Sequence, residues 1–196
     1  ERLRLWQGVE KRVADELLPI CRYIQNFYRS GRQISVRWVD GSQSYDAELY
    51  QPGWYSKHGY CPEAGYLEVT SAMHEQEHWR WKLLNEGHFV SAPEGVSKAK
   101  SQPAISAPVA FTGQEHVEIF APIVTNIIRK KSTINYPPNT SLIVKCELNS
   151  LYTPEDWQLL VCMVEEQVPT TPFREVMIYD ALTEKTTALS FPRSDA

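Results

Sequence analysis

The 196-residue chain sets 20 Lys and Arg against 24 Asp and Glu, a net charge of −4. That balance excludes a protein that coats nucleic acid through its overall field and leaves only a local basic strip, such as Arg129-Lys130-Lys131, for phosphate contacts. A 42% hydrophobic share with six Trp and ten Tyr excludes a disordered chain, and a chain of this length buries roughly 70% of its unfolded surface without staples.

In chain order, residues 3–28 place Leu5, Val9, Val13, Leu17, Ile20 and Ile24 at spacings of three or four, which predicts an amphipathic helix with Pro19 as a kink or break. Residues 33–39 alternate Ile34, Val36 and Trp38 against Ser35 and Arg37. After the Asp40-Gly41 turn, residues 44–50 alternate Tyr45, Ala47 and Leu49 against Asp46 and Glu48, which completes a hairpin. An aromatic loop follows, and residues 66–70 read as a third strand feeding a helix over 72–85 that Gly87 closes. Residues 88–113 have no period and predict a flexible excursion loop.

Helical spacing returns at Val117, Phe120, Val124, Ile127 and Ile128, followed by a buried strand at 141–146, as in a crossover unit. Thr153-Pro154-Glu155-Asp156 supplies an N-cap, a first-turn Pro and two first-turn acids to a helix ending near Gln167. Residues 175–180 and 186–189 form a closing hairpin. The sum is one α/β domain over 1–196, with a central mixed sheet and flanking helices.

Strand alternation sets Glu68 and Thr70 on one face and Leu67 and Val69 on the other, and it separates Asp46 and Glu48 from Tyr45, Ala47 and Leu49. If the two strands are neighbours, Asp46 and Glu68 converge. Two carboxylates with the backbone carbonyl of Val69 form a partial shell suited to Mg²⁺. A solvated polar strand face gives the same pattern without a metal.

With these acids and this element order, the chain resembles the PD-(D/E)XK nuclease superfamily, whose restriction-endonuclease-like core carries an Asp and then an acid-x-Lys motif on a three-stranded meander. Asp46 takes the first acid's place and Glu68 the second, across residues 1–167. The resemblance implies Mg²⁺- or Mn²⁺-dependent hydrolysis of DNA, an added acid from the first helix (Glu10 or Glu16), and a later helix ending in a Lys followed by Tyr, here Lys131 and Tyr136. Lys131 falls in phase with the inward stripe of its helix. Thr70 stands where the family has its motif Lys, so either Lys131 or Lys82 substitutes for it, or the fold serves as a non-catalytic module that binds a protein or nucleic acid.

A second motif competes. His74-Glu75-Gln76-Glu77-His78 satisfies H-E-x-x-H, in which two His one helical turn apart bind Zn²⁺ and the Glu acts as general base of a peptidase. Trp81 and Leu84 occupy the places where the extended motif needs Gly and His, and only Glu94, Glu115 or Glu118 offers a third ligand. The alternative reading is the polar outer face of a helix.

Trp54, Tyr55, Tyr60 and Tyr66 form an aromatic stretch able to stack bases, line a partner surface or cap the core. Four cysteines lie far apart without a C-x-x-C pair, and Cys146 and Cys162 sit in apolar runs, as expected of buried reduced thiols. With no run of about 18 apolar residues and no signal-like apolar core after Glu1, a cytoplasmic protein that avoids membranes is expected.

Overall fold

The computed structural model describes residues 11–27, 29–100, 102–148, 150–168 and 170–191. Its centre is a six-stranded mixed sheet of β1 (Ser35–Trp38), β2 (Ala47–Tyr50), β3 (Ala64–Ala72), β6 (Thr140–Cys146), β7 (Val176–Asp180) and β8 (Thr186–Leu189), in that order across the sheet. The first three strands are an antiparallel meander, β3, β6 and β7 run parallel, and β8 returns antiparallel. A separate two-stranded sheet pairs β4 (Val96–Ser97) with β5 (Ile105–Ser106). The helices are α1 (Leu18–Phe27), the short α2 (Trp54–Lys57), α3 (Glu77–Asn85), α4 (Gly113–Ser132) and α5 (Pro154–Gln167).

Strand alternation divides the interior into two layers. On one face Ile20 and Tyr23 of α1 pack over Ala47, Leu49, Leu67, Val69, Ile143, Met177 and Tyr179. On the other, Val117, Phe120, Val124 and Ile128 of α4 and Leu160, Val161 and Val164 of α5 pack over Ala72, Leu142, Val144, Cys146, Val176 and Ile178. Consecutive residues of β6 therefore serve opposite layers, as a pleat requires. Burial of each such Leu or Ile contributes roughly 1.5–3 kcal/mol.

The first helix shows how a proline is absorbed. Pro19 has no N–H to give the carbonyl of Asp15, and the backbone widens just before it into a π-helical turn, Val13–Leu17, in which the N–H of Leu18 donates to the carbonyl of Val13. The expected break is a register change, and the helix continues to Phe27. α4 and α5 start on complete capping boxes, Thr112 with Glu115 and Thr153 with Asp156, in which the hydroxyl accepts the third helical N–H and the acid accepts the cap's own N–H.

Three expectations are corrected. The third strand runs on to Ala72 because it pairs with β6 residue for residue from Tyr66 to Ala72, so α3 begins only at Glu77. Residues 88–113 are not periodless throughout: a 3₁₀ turn (Pro93–Gly95) and β4–β5 bring Val90 and Val96 against Leu83, with Trp79 and Leu84 alongside. Cys162 lies on the exposed side of α5, since Val161 and Val164 take the inward positions, whereas Cys61 and Cys146 are buried.

Candidate functional site

β2 and β3 pair as far as Ala47↔Leu67 and then part. Beyond that point the N–H of Asp46 still donates to the carbonyl of Leu67 at 2.8 Å. The N–H of Val69 has no β2 backbone opposite it and donates instead to Oδ2 of Asp46 at 2.7 Å. A residue's N–H and C=O point to the same edge of a strand, so the Val69 carbonyl faces the edge where Asp46 stands. The sheet's opening thus places one carboxylate and one carbonyl side by side.

Glu68 lies on the face toward α4 and is 7% exposed. Nζ of Lys131, in the last turn of α4, donates to its Oε1 at 2.5 Å, and the Tyr136 hydroxyl lies near enough to its carboxylate for the two to shift each other's pKa. Tyr136 is steadied by Phe173, with ring centroids 5.1 Å apart. The sequence separation between Lys131 and Glu68 is closed by the α4 crossover, which returns the chain to β3's neighbour β6.

On the opposite flank Glu16 projects from the π turn. Its carboxylate accepts from Nε1 of Trp38 at 2.9 Å and from the Arg12 guanidinium at 3.2 and 3.1 Å, and Arg12 lies over the Trp38 ring while pairing with Asp40 at 2.9 Å. Glu16 acts on Asp46 through its charge. Burial, foremost, raises the pKa of Asp46, opposed by the Val69 hydrogen bond and aided by the charge of Glu16. Burial likewise raises that of Glu68, opposed by Lys131 and aided by Asp46. Burial beside Glu68 also drives the Tyr136 phenol up, so it stays a donor.

Asp46, Glu68, Lys131 and Tyr136 are therefore brought together, with the Val69 carbonyl at the same edge and Glu16 within electrostatic range. Thr70 is half-buried on the face of Glu68, one strand repeat further on. Lys82 lies elsewhere: its amine is 5.5 Å from the Trp79 ring and 4.0 Å from Glu86 on the exposed side of α3. Glu10 falls outside the described residues. Among the described residues no group of three or more His, Cys, Asp or Glu is placed to hold a metal ion, so the oxygen donors here number two carboxylates and a carbonyl. That set fits Mg²⁺, which binds through one or two carboxylates and keeps its waters.

The H-E-x-x-H motif does not form its helical pair. His74 lies in the turn before α3, where its Nδ1 accepts from the N–H of Gln76 at 3.2 Å, and only His78 is inside the helix. Glu77 is buried and receives a hydrogen bond from Arg80 at 2.7 Å. The three acids considered as further ligands are otherwise engaged: Glu115 caps α4, Glu118 accepts from Gln114 at 3.0 Å, and Glu94 lies 3.5 Å from Nε2 of His116.

That last pair belongs to a cluster the sequence did not signal. His116 is buried in the first turns of α4, its Nδ1 2.7 Å from the Tyr152 hydroxyl, and burial lowers its pKa despite Glu94. The only sequence cue was its position one residue before the apolar stripe. The aromatic stretch also divides: Trp54 stacks with His58 and Tyr60 and meets Tyr55 edge-on, whereas Tyr66 pairs with Tyr45 at 4.6 Å. No helix among the described residues is long and apolar enough to cross a membrane.

Comparison of the chain with protein-family models, with curated proteins and with solved structures finds no match.

Proposed function

We propose that the chain is a metal-dependent phosphodiesterase acting on DNA, built on a restriction-endonuclease-like core, with Asp46, Glu68 and the Val69 carbonyl as the cation site and Lys131 in place of the missing motif lysine. The observation that carries this reading is the 2.5 Å hydrogen bond from the Lys131 amine to Glu68, since an acidic site at which phosphate charge develops needs an opposing cation. The order helix, three-stranded meander, crossover helix and parallel strand supports it too.

Mg²⁺ bound there would polarise the phosphodiester and lower the pKa of a coordinated water. The protein's own groups divide the remaining work. Asp46 is held in place by the Val69 N–H, and Glu68 by Lys131. Lys131, a quarter exposed, donates to Glu68 and has N–H capacity left to meet a phosphate oxygen. Glu16, fixed by Trp38 and Arg12, adds negative charge that favours a cation beside Asp46. Thr70 supplies a hydroxyl on the same face, where no second cation is then required.

Purified protein is expected to nick or degrade DNA with Mg²⁺ or Mn²⁺, with losses of about a hundredfold or more in Asp46→Ala, Glu68→Ala and Lys131→Ala and with circular dichroism unchanged. Activity that survives both carboxylate substitutions would overturn the assignment. A folded protein that binds DNA and never cleaves it would instead be a non-catalytic module.

A further inference from the structure

Beside the proposed site, no helix among the described residues packs over β1 and β2 from the side opposite α1. α1 covers β1, β2 and β3 on one face through Val36, Trp38, Ala47, Leu49, Leu67 and Val69. The core cluster on the other face includes, of these three strands, only Ala72. Of the side chains that remain there, Arg37, Glu48, Tyr50 and Tyr66 line a shallow depression of about 300 Å³, and Tyr45 stands beside Tyr66. Tyr45 and Tyr66 form a ring pair with centroids 4.6 Å apart and planes at 53°, and both are half-buried. Tyr45 immediately precedes Asp46, and Tyr66 precedes Glu68 by one strand repeat on the same face.

Charge on this surface does not suit a duplex. Arg37 is paired with Glu48 at 2.6 Å and Lys131 with Glu68, and the chain as a whole is acidic. Duplex affinity rests on many uncommitted cations that neutralise phosphates. Aromatic rings offer a different attraction, the stacking of bases, which is open only to bases not already stacked within a helix.

We infer that the substrate of the proposed site is an unpaired nucleic-acid strand, one base of which stacks on the Tyr45–Tyr66 pair while the adjoining phosphate lies at Asp46 and Glu68. This rests on the nuclease reading for the position of the phosphate, and on the open face alone for the choice of an unpaired strand.

Fluorescence anisotropy without divalent metal, using fluorescein-labelled oligo(dT) and a duplex of equal length, tests the inference. Oligo(dT) is expected to bind at least tenfold more tightly than the duplex. Tyr45→Ala and Tyr66→Ala should each weaken oligo(dT) binding by about tenfold, and Tyr66→Trp should restore it, with melting curves confirming the fold. Equal affinity for the duplex, or oligo(dT) binding indifferent to both alanine substitutions, overturns the inference. Hydrolysis of bis(4-nitrophenyl) phosphate by the wild-type protein with Mg²⁺ or Mn²⁺ separates the two claims. If it proceeds while strand preference fails, the nuclease reading stands without this substrate. If neither this ester nor DNA is cleaved while tyrosine-dependent binding holds, the face binds unpaired strands and the nuclease reading falls.

Discussion

Two lysines meet carboxylates on opposite faces of the sheet, and they are not equivalent. Lys145 of β6 is 2% exposed and bonds Asp15 at 2.9 Å and Glu147 at 2.5 Å. Burial pulls its pKa down, but these two carboxylates outweigh burial and the pKa is raised. Lys131 is a quarter exposed and bonds Glu68 alone among the described carboxylates, with Asp46 and Glu16 adding negative charge nearby. In the first cluster the amine is buried and its carboxylates are a quarter exposed, whereas in the second the Glu68 carboxylate is buried and the amine is a quarter exposed. The π turn feeds both, because its consecutive acids part: Asp15 turns to Lys145 and Glu16 to Trp38 beside Asp46.

The largest effect expected from this contrast is on stability, at the buried amine of Lys145. Lys145→Met leaves Glu147 without its cation and Asp15 with only Lys11 at 3.8 Å, and should cost about 3 kcal/mol in urea denaturation. A cost below about 1 kcal/mol would show that solvent neutralises them and that the two clusters are alike.

Lys131→Met should do the reverse. Its carboxylate partner is buried, but its raised pKa lets it take up a proton instead, so stability should fall by about 1–2 kcal/mol, while Mg²⁺-dependent cleavage drops about a hundredfold. A variant as active as the wild type would remove Lys131 from the chemistry.

The smallest effect concerns the strain of gathered carboxylates. Asp46 and Glu68 both have pKa values raised by burial, so the folded state holds their protons more firmly than the unfolded chain does. Stability is then favoured below the raised folded pKa and lost as pH rises through it. Asp46→Asn, with an amide oxygen still able to accept from Val69, should stabilise the protein by about 0.5–1 kcal/mol at neutral pH while abolishing cleavage. The gain should shrink as pH falls through the raised folded pKa and be gone below the ordinary carboxylate range, and thermal melts across pH measure it. A destabilised variant at neutral pH would mean that the Asp46 charge supports the sheet opening.

Much of this was legible in the sequence because it depends on local periodicity. Alternation in residues 66–70 assigns Glu68 and Thr70 to the face opposite Leu67 and Val69, and β3 obeys it. The stripe from Val117 to Ile127 points Lys131 inward, and Thr153-Pro154 starts a helix where such residues should. The H-E-x-x-H reading failed for an instructive reason. Its spacing has meaning only on a helix, and the ladder between β3 and β6 claims the backbone as far as Ala72, which leaves His74 in a turn. The Thr112–Glu115 box was legible and overlooked, its spacing hidden among the Ser, Ala, Pro and Gly of the preceding segment.

The sequence alone determined the order of elements, the face most strand residues take, and the candidacy of Asp46, Glu68 and Lys131; Tyr45, which alternation put with Ala47 and Leu49, precedes β2 and turns instead to Tyr66. Only the tertiary structure decided that Lys131 rather than Lys82 reaches Glu68, that Asp15 and Glu16 serve different clusters, and that β2 leaves β3 at the point where Asp46 can hold the Val69 N–H. The physical reason is range. Periods of 2 and 3.6 residues fix the direction of a side chain from its immediate neighbours, whereas the group it meets depends on how a crossover folds back on the sheet, here across a separation of 63 residues.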